Sequence, residues 1–543
     1  MMGRVIALGL NGFAGADHDA AAALVVDGRL VAAVEEERLN RRRHAPGDRP
    51  VMAVPEVLRI AGVAPADIDI VCHGWRPGAL GRGLTERSES ETIRTALAAA
   101  GVTLRTSTPV VFTDHHLAHF WSGVPFLAPG AEASSVDGLI VDGAGESTSG
   151  ALFRLRNGQV EKVWNLGIDG SLGLLYEAMT VAIGFRPGDE GKTMGLASYG
   201  RPQTMDQIPA PVDDRFTGAL PVLADSNAVR RHHRALLVAM KSAVRGGTSF
   251  NRRADLSLGV QAVLESRIMA FLRELTEPAP TLVMAGGVAL NCSVNGTVAE
   301  WCRQRGVALV IPPPANDGGI AIGAAVSVSP DPAACRADSA FLGRGYETAE
   351  IIGRLTALGA VPRELSAGEL ADGLVERDLI CGWFEGRSEV GPRALGRRAI
   401  VSRTDSVRVR DRLNVIKGRE SWRPLAPSVL PDEFHSSFTG VPSPHMLINC
   451  SATEAAMKPL AGVIHVDGTA RPQVVDGPMA AGPYADLLTQ MQKRTGHAAV
   501  TCTSFNVGGQ PIVYSPEDAY EAAVAMGLDL LAGDGWCVDV PRR

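Results

Sequence analysis

Two stretches of this chain are written in the same grammar, and the repetition narrows the folds open to it. The first reads VIALGLNGF (5–13) and then AAAALVVDGRLVAAVEEER (20–38). The second reads DGLIVDGAGE (137–146) and then TSGALFRLRNGQVEKVWNL (148–166). Each is a strand, a polar loop, a strand, a tight turn and a third strand. Asp27-Gly28 and Asn157-Gly158 stand between apolar runs, and such pairs favour the two-residue turns whose twist matches that of the flanking strands. One hairpin would say little. The same order of signals twice predicts an internal duplication.

After the second copy, residues 260–275 carry apolar residues at helical spacing. TLVMAGGVALNCSVNG (281–296) and ALVIPPPANDGGIAIGAAVSV (308–328) each read as a buried strand, a Gly- or Pro-rich turn and a helix start. Backbone N–H groups at such turns can approach phosphates. A duplicated sheet with a polar loop after the first strand of each half, followed by these turns, predicts the actin-like ATPase plan in an α/β (α+β) protein. SPDPAACRAD (329–338) has no periodic pattern and marks a boundary. We therefore expect one domain over 1–337 and a second over 338–543. The second has its own strands, each next to a polar cluster: ICGWFEGRSEVGPRALGRRAIVS, NVIKGRESWRPLAPSVL and AAVTCTSFNVGGQPIV.

Composition excludes some functions. A formal net charge of -6 does not favour a broad grip on a nucleic-acid backbone. RLNRRRH (38–44) follows EEE, so its charge is balanced locally and it reads as a solvated helix end. No run approaches the ~18 apolar residues of a membrane span, and the first residues lack a signal-peptide core. The eight cysteines are scattered without a C-x-x-C, which suits reduced thiols and a cytoplasmic setting. Of 53 basic residues only six are lysine, so a lysine inside a Gly-marked loop stands out.

DHHLAHF (114–120) concentrates three histidines in one turn. On a helix His115 and His119 share a face, four residues apart, while His116 points about 100° away. Asp142 ends the strand GLIVDG, and Asp317 sits at the mouth of the ANDGGI turn. On the actin-like plan both open into one cleft. Two imidazoles with two carboxylates would suit iron, manganese or zinc, whereas each aspartate alone reads as a turn former or cap.

Seven motifs taken together resemble one family: HDAAAALVVDGRLVAAVEEERLNRRRH, HHLAH, GKTMGLASYG, GGVALN, GRSEVGPRALGRRAI, KGRESWRP and TSFNVGGQPIV. They occur in the order found in the O-carbamoyltransferases of antibiotic and nodulation-factor biosynthesis. The resemblance implies an actin-like carbamoyl-transfer domain followed by a YrdC-like domain. It implies that the second makes carbamoyl adenylate from carbamoyl phosphate and ATP with Mg2+. The first would then pass the carbamoyl group to a hydroxyl beside a bound metal, iron in the family. His115, His119, Asp142 and Asp317 match the family's metal ligands. His18 matches a histidine of the first loop that can take the acceptor's proton. Lys192, Gly286, Gly287 and Asn291 match positions that contact nucleotide phosphate and ribose. Lys417 and Arg419 match the K-x-R signature of YrdC-like proteins, and Ser504 and Asn506 its S-x-N partner. Arg393 and Arg423 join them in anion binding, because fixed cations must offset the charge of carbamoyl phosphate and ATP in one pocket.

The chain is shorter than members acting on macrolactams or aminocoumarins, which leans the acceptor towards a polar antibiotic or its sugar. Two other readings are a small-molecule kinase on the same core and a tRNA-modifying enzyme. The first needs no second anion site, and the acidic balance disfavours the second. No nucleic-acid or membrane partner is expected.

Overall fold

The computed structural model describes residues 4–13, 18–78, 83–128, 130, 134–201, 226–244 and 249–541. The chain divides into two compact units, one of 1–36 and 44–338, the other of 37–43 and 339–543.

The first unit contains two five-stranded sheets of the same plan. In one, β1 (Ile6–Asn11), β2 (Ala21–Val26) and β3 (Arg29–Glu35) form an antiparallel meander, and β4 (Ile70–His73) and β5 (Val110–Phe112) continue it in parallel from β1, in the order β3-β2-β1-β4-β5. In the other, β6 (Ser135–Val141), β7 (Thr148–Arg156) and β8 (Gln159–Gly167) make the meander. Parallel β9 (Thr281–Ala285) and β10 (Ala308–Val310) extend it, in the order β10-β9-β6-β7-β8. The duplication expected from the repeated grammar is thus present strand for strand. Asp27 and Gly28 take φ of 50° and 74°, and Asn157 and Gly158 take 49° and 77°. These left-handed pairs are what a type I′ hairpin requires of its central residues.

Small residues let the elements of the site approach. The helix Ile320–Ser327, apolar up to its last residue, lies on β1, where a Cβ at Gly9 would stand 1.9 Å from the Ala321 carbonyl oxygen. The same helix meets the helix His115–Gly123 so closely that a Cβ at Gly323 would lie 1.7 Å from the Ala118 oxygen. Asp317, just before one helix, is thereby brought beside the histidines of the other.

The second unit has an eight-stranded mixed sheet. Its strands are β11 (Arg363–Glu364), β12 (Cys381–Phe384), β13 (Arg398–Ser402), β14 (Ala426–Val429), β18 (Gln473–Val474), β19 (Ala499–Ser504), β20 (Leu530–Gly533) and β21 (Trp536–Asp539), ordered β11-β21-β20-β12-β13-β19-β14-β18. A small sheet of β15 (Phe438–Thr439), β16 (Cys450–Ala452) and β17 (Thr469–Ala470) accompanies it. Trp383, Tyr484, Leu488 and Met491 are among the side chains that fill its core. Within RLNRRRH (38–44), expected as a solvated helix end, Arg42 and Arg43 are exposed, but Arg38 and Arg41 turn inward. Arg38 is 2 % exposed and donates to the Gly391 carbonyl. Arg41 donates to the carbonyls of Ile512 and Pro511 at 2.7 and 2.9 Å. For these two arginines, carbonyl acceptors far along the chain outweigh the sequence-local pairing, which takes no account of distant backbone. All eight cysteines are buried free thiols. No helix among the described residues is long and apolar enough to cross a membrane.

Candidate active site

The helix His115–Gly123 begins where Asp114 caps it, accepting from Leu117 N at 2.9 Å. Its four-residue spacing turns His115 and His119 to one side. Both rings are buried, at 1 % and 0 % exposure. β6 ends at Val141, so Asp142 projects from its carboxyl end towards them, and Asp317 opens the turn before the helix Ile320–Ser327. His115 Nε2 lies 3.1 Å from Asp142 Oδ2 and 3.8 Å from Asp317 Oδ1. His119 Nε2 lies 3.4 Å from each. The four side chains expected in one cleft converge, with one ligand atom from each within 4.8 Å of the others.

The donor set fits a divalent cation. Ligand atoms about 2.1 Å from an ion, at angles between octahedral and tetrahedral, stand about 3.0–3.4 Å apart, close to the spacings here. His119 Nε2 is buried and makes no hydrogen bond despite its two carboxylate neighbours, as expected of a nitrogen directed at a point between them. The second oxygen of Asp142 is already engaged, accepting from Gly143 N at 2.8 Å and Gly287 N at 3.1 Å. This leaves Oδ2 for the cluster. Burial lowers the proton affinity of His119, but the carboxylates of Asp142 and Asp317 beside it outweigh that and lift the group to about 9. A buried nitrogen so favourable to positive charge is favourable to a metal ion too. His116 faces elsewhere, paired with Thr148 Oγ1 at 2.9 Å, and burial holds it neutral, down at about 3.

Several neighbours lay beyond sequence reasoning. The Trp75 ring covers His115 at 3.9 Å between centroids, and its indole donates to Asn11 Oδ1 at 3.1 Å. The Asn11 amide donates to the carbonyls of Asp19 and Asp317 at 2.9 and 3.2 Å. Glu146 accepts from Arg76 N at 2.8 Å, and burial pushes its carboxyl up to about 7. No periodicity marks such residues.

His18 is 57 % exposed at the side chain, with Nδ1 3.1 Å from Asp19 Oδ2. That hydrogen bond, with the charges of Asp317, Asp19 and Asp142, raises its proton affinity. Lys192 sits in the first turn of the helix Glu190–Ala197, 3.1 Å from Asp189 and near the Phe185 ring. Gly286 takes φ 93°, and a Cβ there would lie 2.3 Å from the Val141 oxygen. The Gly286-Gly287 turn therefore abuts β6 and donates to Asp142 from Gly287. Asn291 caps the helix Cys292–Arg303, and its amide is also paired with Gln261.

In the second unit Lys417, Arg419, Ser504 and Asn506 meet. Lys417 is 1 % exposed and donates to the Ser504 carbonyl, to the Asn506 carbonyl at 3.1 Å and to Asn506 Oδ1 at 3.0 Å. Arg419 reaches Thr503 Oγ1 at 3.2 Å and Ser504 Oγ at 3.5 Å, and Ser504 donates to Asn506 Oδ1 at 2.7 Å. Burial first, then Arg423, Arg471 and Arg43, press the Arg419 guanidinium down to about 9. Burial, Arg419 and Arg423 likewise hold Lys417 well below the usual lysine range. Crowded cations sharing few counter-charges make a site that gains by taking an anion. Arg43 and Arg471 were missed because nothing local distinguishes them among so many arginines. Arg393 lies half-buried in the turn between β12 and β13.

Against known families, residues 77–326 match Carbamoyltransferase N-terminus and 371–539 match Carbamoyltransferase C-terminus. A two-unit α/β chain with these matches is a transferase of carbamoyl groups. It is 33 % identical to the nodulation protein NolNO of Sinorhizobium fredii over 94 % of this chain and 77 % of that one. It is 27 % identical to a 3'-hydroxymethylcephem-O-carbamoyltransferase of Amycolatopsis lactamdurans, over 96 % of this chain and 97 % of that one. The chain belongs to the natural-product O-carbamoyltransferase family.

Proposed function

We propose that this chain is an ATP-dependent O-carbamoyltransferase whose acceptor is a hydroxyl on a small, polar natural product. The first unit, taken as the actin-like domain of 1–337, would transfer the carbamoyl group. The second, taken as the YrdC-like domain of 338–543, would activate it. The observation that carries the reading is the separation of two chemistries in a carbamoyltransferase chain: a His/Asp quartet in one unit and a cation cluster in the other.

In activation, carbamoyl phosphate, ATP with Mg2+ and water yield carbamoyl adenylate, pyrophosphate and phosphate. Arg419, Arg423 and Arg393 would bind the anionic oxygens. Lys417 would hold the 504–506 turn so that Ser504 and Asn506 face them. In transfer, the acceptor oxygen attacks the carbamoyl carbon, the bond from that carbon to the AMP oxygen breaks, and AMP leaves. His18, in its neutral form, would take the hydroxyl proton at Nε2, its Nδ1 being engaged by Asp19. Lys192, the Gly286-Gly287 turn and Asn291 would position the nucleotide. His115, His119, Asp142 and Asp317 would hold a divalent ion, iron by family resemblance. When bound, it would act as a Lewis acid on a carbonyl or phosphate oxygen and offset the two aspartates.

The test is incubation with radiolabelled carbamoyl phosphate and MgATP, with an aminoglycoside, a cephem alcohol and a hexose offered in turn as acceptor. Release of AMP with pyrophosphate and label on one acceptor is expected. ADP as the sole nucleotide product would overturn the reading in favour of a kinase.

A further inference from the structure

Asp19 touches three side chains in the first unit. Its Oδ2 lies 3.1 Å from His18 Nδ1 and accepts from Asn316 Nδ2 at 3.1 Å, and its Oδ1 lies 2.9 Å from His44 Nδ1. A carboxylate facing an imidazole nitrogen is the acceptor, so both rings carry a proton on Nδ1 and turn Nε2 away from Asp19. The backbone is committed as well. Asp19 and His44 both take left-handed φ, 53° and 62°, and Asp19 N donates to the His44 carbonyl at 2.7 Å. Non-glycine residues in that region are held there by their surroundings, and they gather at functional sites. The frame also reaches the quartet, because the Asn11 amide ties the Asp19 carbonyl to that of Asp317. On the other side, the Nε2 edge of His44 faces Gly188, in the loop before the helix that carries Lys192.

We infer that Asp19 is the positioning residue of the transfer site: it clamps His18 and His44 by Nδ1, sets their tautomers, and holds His18 in register with the quartet. The inference rests on the reading of His18 as proton acceptor. A second imidazole on the same carboxylate makes His44 part of the clamp. Its loss leaves Asp19 bonded to His18 and Asn316, so it matters less than loss of Asp19.

The test is a double-variant cycle on the full chain, using whichever of the three acceptors above takes label fastest. With water as acceptor, the same rates are read as AMP release. Asn tolerates left-handed φ, so Asp19→Asn keeps the backbone while replacing one acceptor oxygen with a donor. Its kcat for transfer should fall about 100-fold or more, in line with a wrong tautomer. Acceptor KM should stay within about twofold and the bound-metal stoichiometry should not change. His44→Ala should lose about tenfold. The variant combining His18→Ala and Asp19→Asn should be no slower than His18→Ala alone, because Asp19 acts through His18. Should Asp19→Asn melt early, Asp19→Gly, free at this φ, runs the same cycle. Losses that multiply, or an Asp19→Asn variant at wild-type rate while His18→Ala is slow, overturn the positioning role alone. A His18→Ala variant at wild-type rate overturns the His18 reading and the inference with it.

Discussion

Replacing Lys417 with methionine isolates what a buried ammonium does in the second unit. The side chain is 1 % exposed, and its donors are spent on two backbone carbonyls and one amide oxygen of the 504–506 turn. Methionine keeps most of the volume and removes every donor. Asn506 Oδ1 still accepts from Ser504, but the carbonyls of Ser504 and Asn506 lose this partner. An acceptor left unsatisfied costs about 1–3 kcal/mol, and eliminating a desolvated charge returns part of the total. A net loss of about 2–4 kcal/mol follows. For a unit of this size it should lower the melting temperature by roughly 5–12 °C. Because the turn carries Ser504 and Asn506, activation should suffer beyond the stability loss. Pyrophosphate release from carbamoyl phosphate and MgATP should drop about 100-fold well below the melting temperature. Carbamoyl adenylate supplied from outside should still be consumed by the first unit. A variant that melts normally, or one that melts early yet releases pyrophosphate at the wild-type rate, would refute the assignment of Lys417 to the turn.

Two further outcomes are expected. His119→Ala should lose the bound divalent metal, measured by elemental analysis, and abolish transfer to acceptor while pyrophosphate release persists; impairment of the same half-reaction as Lys417→Met would refute the division of labour. Glu36 is 1 % exposed, accepts from Met52 N and Ala53 N, and burial raises its carboxyl to about 7. A raised carboxylate makes the folded state bind the extra proton, so this contribution is complete below pH ~4.5 and is lost as pH climbs towards 7, by about 3 kcal/mol at most. Glu36→Gln should therefore raise the melting temperature at pH 8 and leave it nearly unchanged at pH 4.5, read by calorimetry; an equal shift at both would show that the charge is not responsible.

Local chemistry was legible along the chain wherever a short stretch contains its own reason. Asp27-Gly28 and Asn157-Gly158 specify hairpins because only a few residues accept two successive left-handed conformations. The H-x-x-x-H spacing sets two imidazoles on one side of a helix through the 3.6-residue period alone. The repeated order of strands and loops specified a duplicated sheet. In RLNRRRH the reading failed for Arg38 and Arg41 because charge balance is a local property, whereas the carbonyls that receive them come from residues more than 300 positions away.

What tertiary structure decided was choice among equals. Arginine is abundant in this chain, and only packing makes Arg43 and Arg471 neighbours of Arg419. Many aspartates end strands or open turns. Asp142 and Asp317 face the same two histidines because glycines at 9 and 323 admit one helix against a strand and a second helix. The tautomer of His18 belongs to this class as well. The sequence by itself determined which side chains were chemically able to act. Which of their atoms face one another was decided by close packing, since hydrogen bonds and ligand fields act over a few ångströms and sequence separation does not report them.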